Sequence, residues 1–420
     1  MKPVKTTFLR PGPGMPGMLY EPVETGDKSS ICVVAIHCEA DYLDHTIGPG
    51  LAKRGYRVLC ANTHSEEADF PEKIKDVANA VEFVRTMPEV KKIVLMGHSG
   101  GATLMSAYQA IAENGVGFFR KDSQVIACPD YLDGIPCADG FLSMDSNWGN
   151  GTMRLFSTDP AIIDERSGMV IDPELDMFSE KNGWSPEGAT YTDSFLKKFF
   201  MAQHERNERL IRYALERNAV IDAGKGFYAD DEPFTIPAAS LLGHNNKLFP
   251  QDRRFLSRTA GERTLVHNGG HVTTEVVHTV RTAKNLISHA PSYYRGAMKT
   301  SIKRFLNSWC VKTDKTYHYD DRECFGIIWD SSYCCAPGNV TGVTVPSLVM
   351  GMTANWEFSA VETIYNNLAA EDKECAFIEG ADHNFHTDKA CERYEGEFGD
   401  TVETTYDYVD GWLSKPGRFI

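Results

Sequence analysis

Short, near-continuous apolar runs recur along this chain, and stretches with helical spacing separate them. Residues 30–37 (SICVVAIH), 56–63 (YRVLCANT), 92–97 (KIVLMG) and 138–144 (ADGFLSM) read as strands buried on both faces. Helical patterns lie between and after them, near 47–53, over 70–87 with Ile74, Val77, Val81 and Val84 on one face, and over 101–113. Apolar strands alternating with helices predict a mostly parallel sheet covered by helices on both faces, an α/β fold. The rhythm stops at about residue 145 and resumes with strands at 347–353 and 374–378 and helices near 358–368 and 401–413. The stretch between is rich in aromatics and charge, with long helices expected over 195–217 and 292–309. The simplest layout is a core in two segments, 1–145 and 346–420, interrupted by a mainly helical lid over 146–345. Such insertions cover active sites.

Charge narrows the classes of partner. Lys and Arg number 43 against 58 Asp and Glu, a net charge of −15, which repels phosphate backbones and anionic lipid. No run approaches the ~18 apolar residues of a spanning helix. The first residues carry four prolines and no apolar stretch of the kind a signal peptide needs. A cytoplasmic protein acting on a small molecule, with no nucleic-acid or membrane partner, is the expectation. The eleven cysteines are scattered without a Cys-x-x-Cys pair, so they read as reduced thiols, the neighbours Cys334 and Cys335 included.

Chemistry enters at Gly97-His98-Ser99-Gly100-Gly101, a G-x-S-x-G pattern with a strand ending just before it and a helix beginning just after. Glycines two before and two after the serine are needed because side chains there would collide in so tight a turn. Ser99 would stand clear of the sheet at a helix N-terminus, where negative charge is favoured. A serine hydroxyl needs a base. Of thirteen histidines, His383 in Gly380-Ala381-Asp382-His383 follows the last predicted strand directly, and strand carboxyl ends share one edge of an open sheet. His386 is its rival; His98, inside the turn, reads as a support for it.

These residues, with the strand entry Val345-Pro346-Ser347-Leu348-Val349-Met350-Gly351, make the chain resemble the α/β-hydrolase superfamily with a serine nucleophile. The resemblance covers both core segments, roughly half the chain. It implies the order nucleophile, acid, histidine, and an acyl-enzyme; an ester or lactone is the expected substrate because weakly basic leaving groups need the least acid assistance, and the large lid points to a medium-sized, partly apolar molecule. Amide and carbon–carbon bond hydrolysis use the same constellation. The oxyanion hole it implies joins the N–H of Gly100, which any residue but proline would supply, to that of Glu39; here His37-Cys38-Glu39 stands where members often have His-Gly. The acid departs further, since Asn355 occupies the position of the usual aspartate. Asp145, at the end of the preceding core strand, is the first candidate for the carboxylate and Glu357 the second. A chain with no acid would be a ligand-binding relative without turnover. No cofactor is expected, since neither a phosphate-binding loop nor a dinucleotide fingerprint is present. No metal is expected either: His267, His271 and His278, or His383 and His386 with Cys391, lack defined ligand spacing.

Overall fold

In a computed structural model, which describes residues 2–168, 170–240, 246–282 and 296–420, side chains of each central strand divide between two cores. Val34 and Ile36 serve one face, while Val33 and Ala35 serve the other. The strands in chain order are β1 (Val4–Gly12), β2 (Met15–Pro22), β3 (Ile31–His37), β4 (Arg57–Asn62), β5 (Lys92–His98), β6 (Gly140–Met144) and β7 (Pro233–Ile236). They continue as β8 (Arg258–Val266), β9 (Val272–His278), β10 (Met298–Ser301), β11 (Lys312–Tyr319), β12 (Cys324–Ile328), β13 (Ser347–Met352) and β14 (Lys373–Ile378). Ten form one sheet in the order β1-β2-β4-β3-β5-β6-β13-β14-β8-β9. From β4 to β8 every neighbouring pair is parallel, and the flanking pairs β1–β2, β2–β4 and β8–β9 are antiparallel.

Helix α1 (Ile47–Ala52) and the last helix, Thr401–Leu413, pack on one face through Ile47, Leu51, Tyr406, Val409 and Trp412. On the other lie α2 (Phe70–Arg85), α3 (Gly100–Asn114) and the helix Ala360–Asn367. Asp69 caps α2 and Glu72 returns the bond three residues on, so this helix begins where its first turn can be satisfied. The mostly parallel sheet with helices on both faces is therefore as the apolar runs predict.

Two regions differ from expectation. The N-terminal hairpin β1–β2 is not apparent in the sequence because prolines interrupt it: Pro11 lies on the edge strand β1 and Pro16 where the register between β1 and β2 shifts, both positions that tolerate proline. More consequentially, the stretch 146–345 is not a mainly helical lid alone. β8 and β9 join the central sheet beside β14, and β7–β10 and β11–β12 form two small antiparallel pairs. Their half-exposed faces are polar and charged, which removes the apolar continuity that marks the inner strands.

The long helix of this stretch runs over Asp193–Asp222, beginning at Thr192, whose hydroxyl accepts from Phe195 N–H. The second expected helix is short. Met298–Ser301 pairs with β7, helix occupies only Ile302–Ser308, and residues 292–295 lie outside the described residues. Two buried arginines tie separate segments of this stretch to one another. Arg154 donates to Trp309 O and Asn207 Oδ1, and Arg206 to the carbonyls of Asp159 and Pro237 and both oxygens of Glu165. Among the described residues no helix is long and apolar enough to cross a membrane. Cys334 and Cys335 are buried thiols and do not form a disulfide.

Candidate active site

β5 ends at His98, and the chain must reverse into α3 within one residue. Ser99 absorbs that turn at φ 56°, ψ −130°, a conformation that only surrounding structure can impose on a non-glycine residue. A Cβ on Gly97 would stand 2.2 Å from Ala102 Cα, and one on Gly101 2.7 Å from Ile36 O. Both glycines are thus required by close backbone approach. Ser99 N–H donates to Met144 O at 3.1 Å, tying the turn to β6.

β6 ends next door in a second strained residue. Asp145 has φ 43°, and its N–H donates to Met350 O at 2.7 Å. The bend turns its carboxylate inward, where it is wholly buried and accepts three bonds. Met352 N–H donates to Oδ1 at 2.9 Å; Asn355 Nδ2 and His383 Nδ1 reach Oδ2, each at 2.7 Å. Asn355 Nδ2 lies 3.2 Å from His383 Nδ1, two donors converging on one oxygen. The asparagine at the usual acid position is thus a strut for the aspartate on the neighbouring strand.

His383 sits in the loop after β14. Burial pulls its imidazole down, but the bond and charge of Asp145, together with Glu357 and Asp382, outweigh burial and raise it to about 9. Burial pushes Asp145 up, against the pull of its three donors. His386, three residues on, is exposed and lies beside Asp382, away from Asp145. His98 does support the turn. It is buried and held neutral by desolvation, accepts from Tyr42 O–H at Nδ1, and donates from Nε2 to His383 O at 2.6 Å. The backbone of the loop histidine is therefore fixed by the histidine of the elbow.

The two predicted oxyanion donors fare differently. Gly100 opens α3, so its N–H has no partner within the helix. Its side-chain identity is constrained after all, since a Cβ there would lie 2.8 Å from Cys38 Sγ. Glu39 N–H is engaged. It donates at 2.9 Å to His37 Nδ1, because the His37 ring stacks on Tyr42 and folds back over the two-residue turn. Lys73 secures this turn, donating to Cys38 O and Glu39 Oε1 at 2.6 and 2.7 Å. Neither Lys73 nor the strut role of Asn355 carries any mark in the sequence, for each depends on a contact between distant segments.

Ser99, Gly100, Cys38, Glu39, His383 and Glu357 line one cavity of about 670 Å³, to which Trp309 and Trp356 add aromatic walls. A groove of about 740 Å³ against the last helix is larger, but it is lined by Asp400, Glu403 and Asp407 and by no serine, cysteine or histidine. Trp148 is wholly buried in the aromatic layer beneath the 146–345 stretch, and Tyr333 in the core beside α3, so both pack rather than line the cavity. Among the described residues no three metal-ligating side chains converge. His267 instead bonds Glu379 and Thr273, at 2.6 and 2.8 Å.

No family model and no curated protein matches this sequence. Solved structures similar in chain course include Est1E from Butyrivibrio proteoclasticus, at 10% identity over 98% of this chain and 99% of that one, TM-score 0.41. The siderophore hydrolase EstB from Aspergillus fumigatus is 11% identical over 98% of both chains, TM-score 0.43. A dienelactone hydrolase from Anabaena variabilis is 8% identical over 98% of this chain and 97% of that one, TM-score 0.39. Identity this low says nothing of substrate. The chain's own strand order from β1 to β14, the strained serine turn after β5 and the loops at the ends of β6, β13 and β14 identify its fold as that of the α/β-hydrolases.

Proposed function

We propose that the protein is a serine hydrolase cleaving carboxylic esters or lactones through an acyl-enzyme. The observation that carries this is the 2.7 Å bond between His383 Nδ1 and a buried Asp145, beside a cavity that Ser99 and His383 both line. With Nδ1–H committed to Asp145, the neutral imidazole has its lone pair on Nε2, the state a general base requires. Nε2 takes the Ser99 proton as Oγ attacks the carbonyl carbon. The tetrahedral intermediate collapses with loss of the alcohol, which leaves carrying the proton from Nε2. Water, deprotonated by the same nitrogen, then releases the acid and restores Ser99.

Gly100 N–H holds the oxyanion. Glu39 N–H joins it by exchanging its bond to a neutral imidazole for one to a charged oxygen, which is roughly twice as strong. Weakly basic leaving groups need least from the acid, which favours esters and lactones over amides. A cavity of about 670 Å³ with two tryptophans suits a medium-sized, partly apolar molecule. The reading as a ligand-binding protein without turnover rested on Asn355, whose bond to Asp145 removes that motive.

Steady-state hydrolysis of p-nitrophenyl acetate and butyrate tests the proposal. Wild type should turn them over, with kcat about 10⁴-fold lower or less in Ser99→Ala. Equal rates in the two proteins would refute it.

A further inference from the structure

Three carboxylates line the cavity beside Ser99, and two already have cations. Glu39 is paired with Lys73 at 2.7 Å, and Glu67 with Arg304. Glu357 differs. It is only 5% exposed, yet among the described residues no donor lies within hydrogen-bond distance of its carboxylate and no cation within 4.0 Å. Two positive groups attract it from a distance, His383 when protonated and, more weakly, Lys247. That ammonium is wholly buried, held 3.4 Å from Asn246 Oδ1 and 5.2 Å from the centre of the Trp356 ring.

A buried carboxylate left without a partner costs several kcal/mol unless something supplies a charge or a proton. Charge bookkeeping across the pocket says what that should be. His383, Asp145 and Lys247 are the titratable groups facing Glu357; Asp145, Glu357 and Asp382 face His383, and the His98 ring, 4.7 Å away, is neutral. In the form able to accept the Ser99 proton His383 is uncharged, so the buried carboxylates of Asp145 and Glu357 stand against Lys247 alone, Asp382 being open to solvent. One buried negative charge is then uncompensated beside His383, the residue that hands its proton to the leaving group.

Resting on the ester-hydrolase reading of this site, we propose that Glu357 is the subsite for a positively charged ammonium group on the alcohol half of the substrate. Such a substrate completes the charge balance of the pocket. It also weakens the hold of Glu357 on the protonated imidazole, so with substrate bound more of His383 is in the unprotonated form that can accept the Ser99 proton. Burial raises Glu357 to about 7, despite the pull of His383 and Lys247, so the subsite is charged only above that pH.

The test compares S-butyrylthiocholine with its neutral isostere, S-(3,3-dimethylbutyl) thiobutyrate, using a leaving group whose charge does not titrate. Wild type should favour the cationic ester about tenfold in kcat/KM at pH 8, the effect of one partly screened charge pair. The preference should grow as pH rises through about 7, and Glu357→Gln should bring the ratio near one at every pH. The wild-type pH profile keeps the test decisive if the variant does not fold. Turnover of both esters by wild type at a pH-independent ratio near one, or a preference unchanged in Glu357→Gln, would overturn the subsite while leaving the hydrolase reading intact. Turnover of neither, with no adduct on Ser99, would overturn both.

Discussion

At the scale of single residues, the site works by making each polar group's partner unambiguous. Asp145 accepts three bonds from three separate segments, and its left-handed backbone shows that the fold spends strain to aim it. Asp145→Asn should leave the structure in place but fix the wrong imidazole tautomer, lowering kcat about 10⁴-fold; a loss under tenfold would assign the carboxylate elsewhere. The three carboxylates facing His383, those of Asp145, Glu357 and Asp382, also set the pH response. A raised imidazole keeps its proton up to about pH 9 and cannot act as base, so kcat/KM for a neutral ester should climb with pH until it levels near 9. Stability should respond with the opposite sign. The protonated imidazole is bound more tightly in the fold, a contribution present below the ordinary histidine value of about 6.5 and lost as pH rises through 9. Ser99 and His383 are legible in the sequence because a motif and a strand end mark them, and Asp145 because it too ends a strand. The engaged N–H of Glu39 is not legible, since a ring folding back over two residues leaves no pattern.

Among the elements, those with uninterrupted apolar runs announce themselves, and those at sheet edges do not. β3 and β5 are buried on both faces, whereas β8 reads RTAGERTLV and exposes its polar positions. Its place in the sheet rests on distant partners: Glu362 accepts from Ala260 N–H and Gly261 N–H, and its carboxylate lies 2.8 Å from Arg263. The elbow is the least forgiving element. Gly97→Ala would drive a methyl into the start of α3 and should cost more than about 3 kcal/mol, read as a lower urea midpoint or loss of soluble protein. The upper layer depends on its buried guanidinium groups. Arg206→Met strips donors from two carbonyls and Glu165, and should destabilise by about 3 kcal/mol with a lower Tm.

For the whole molecule, the stretch 146–345 serves both the cavity and the sheet. It lines the cavity with Trp309 and Met298 and also supplies the strands β8 and β9 beyond β14. A chain with 146–345 replaced by a short linker would expose the β14 edge and the apolar surface that Leu265, Val266 and Val277 cover. It should aggregate; a soluble, cooperatively melting product would show that the two core segments fold alone. The account turns on whether this architecture activates one hydroxyl. Intact mass after exposure to a fluorophosphonate measures that directly. Wild type should gain a single adduct that Ser99→Ala does not form, whereas adduct formation that survives the substitution, or its absence from wild type, would contradict the assignment of Ser99 as the nucleophile.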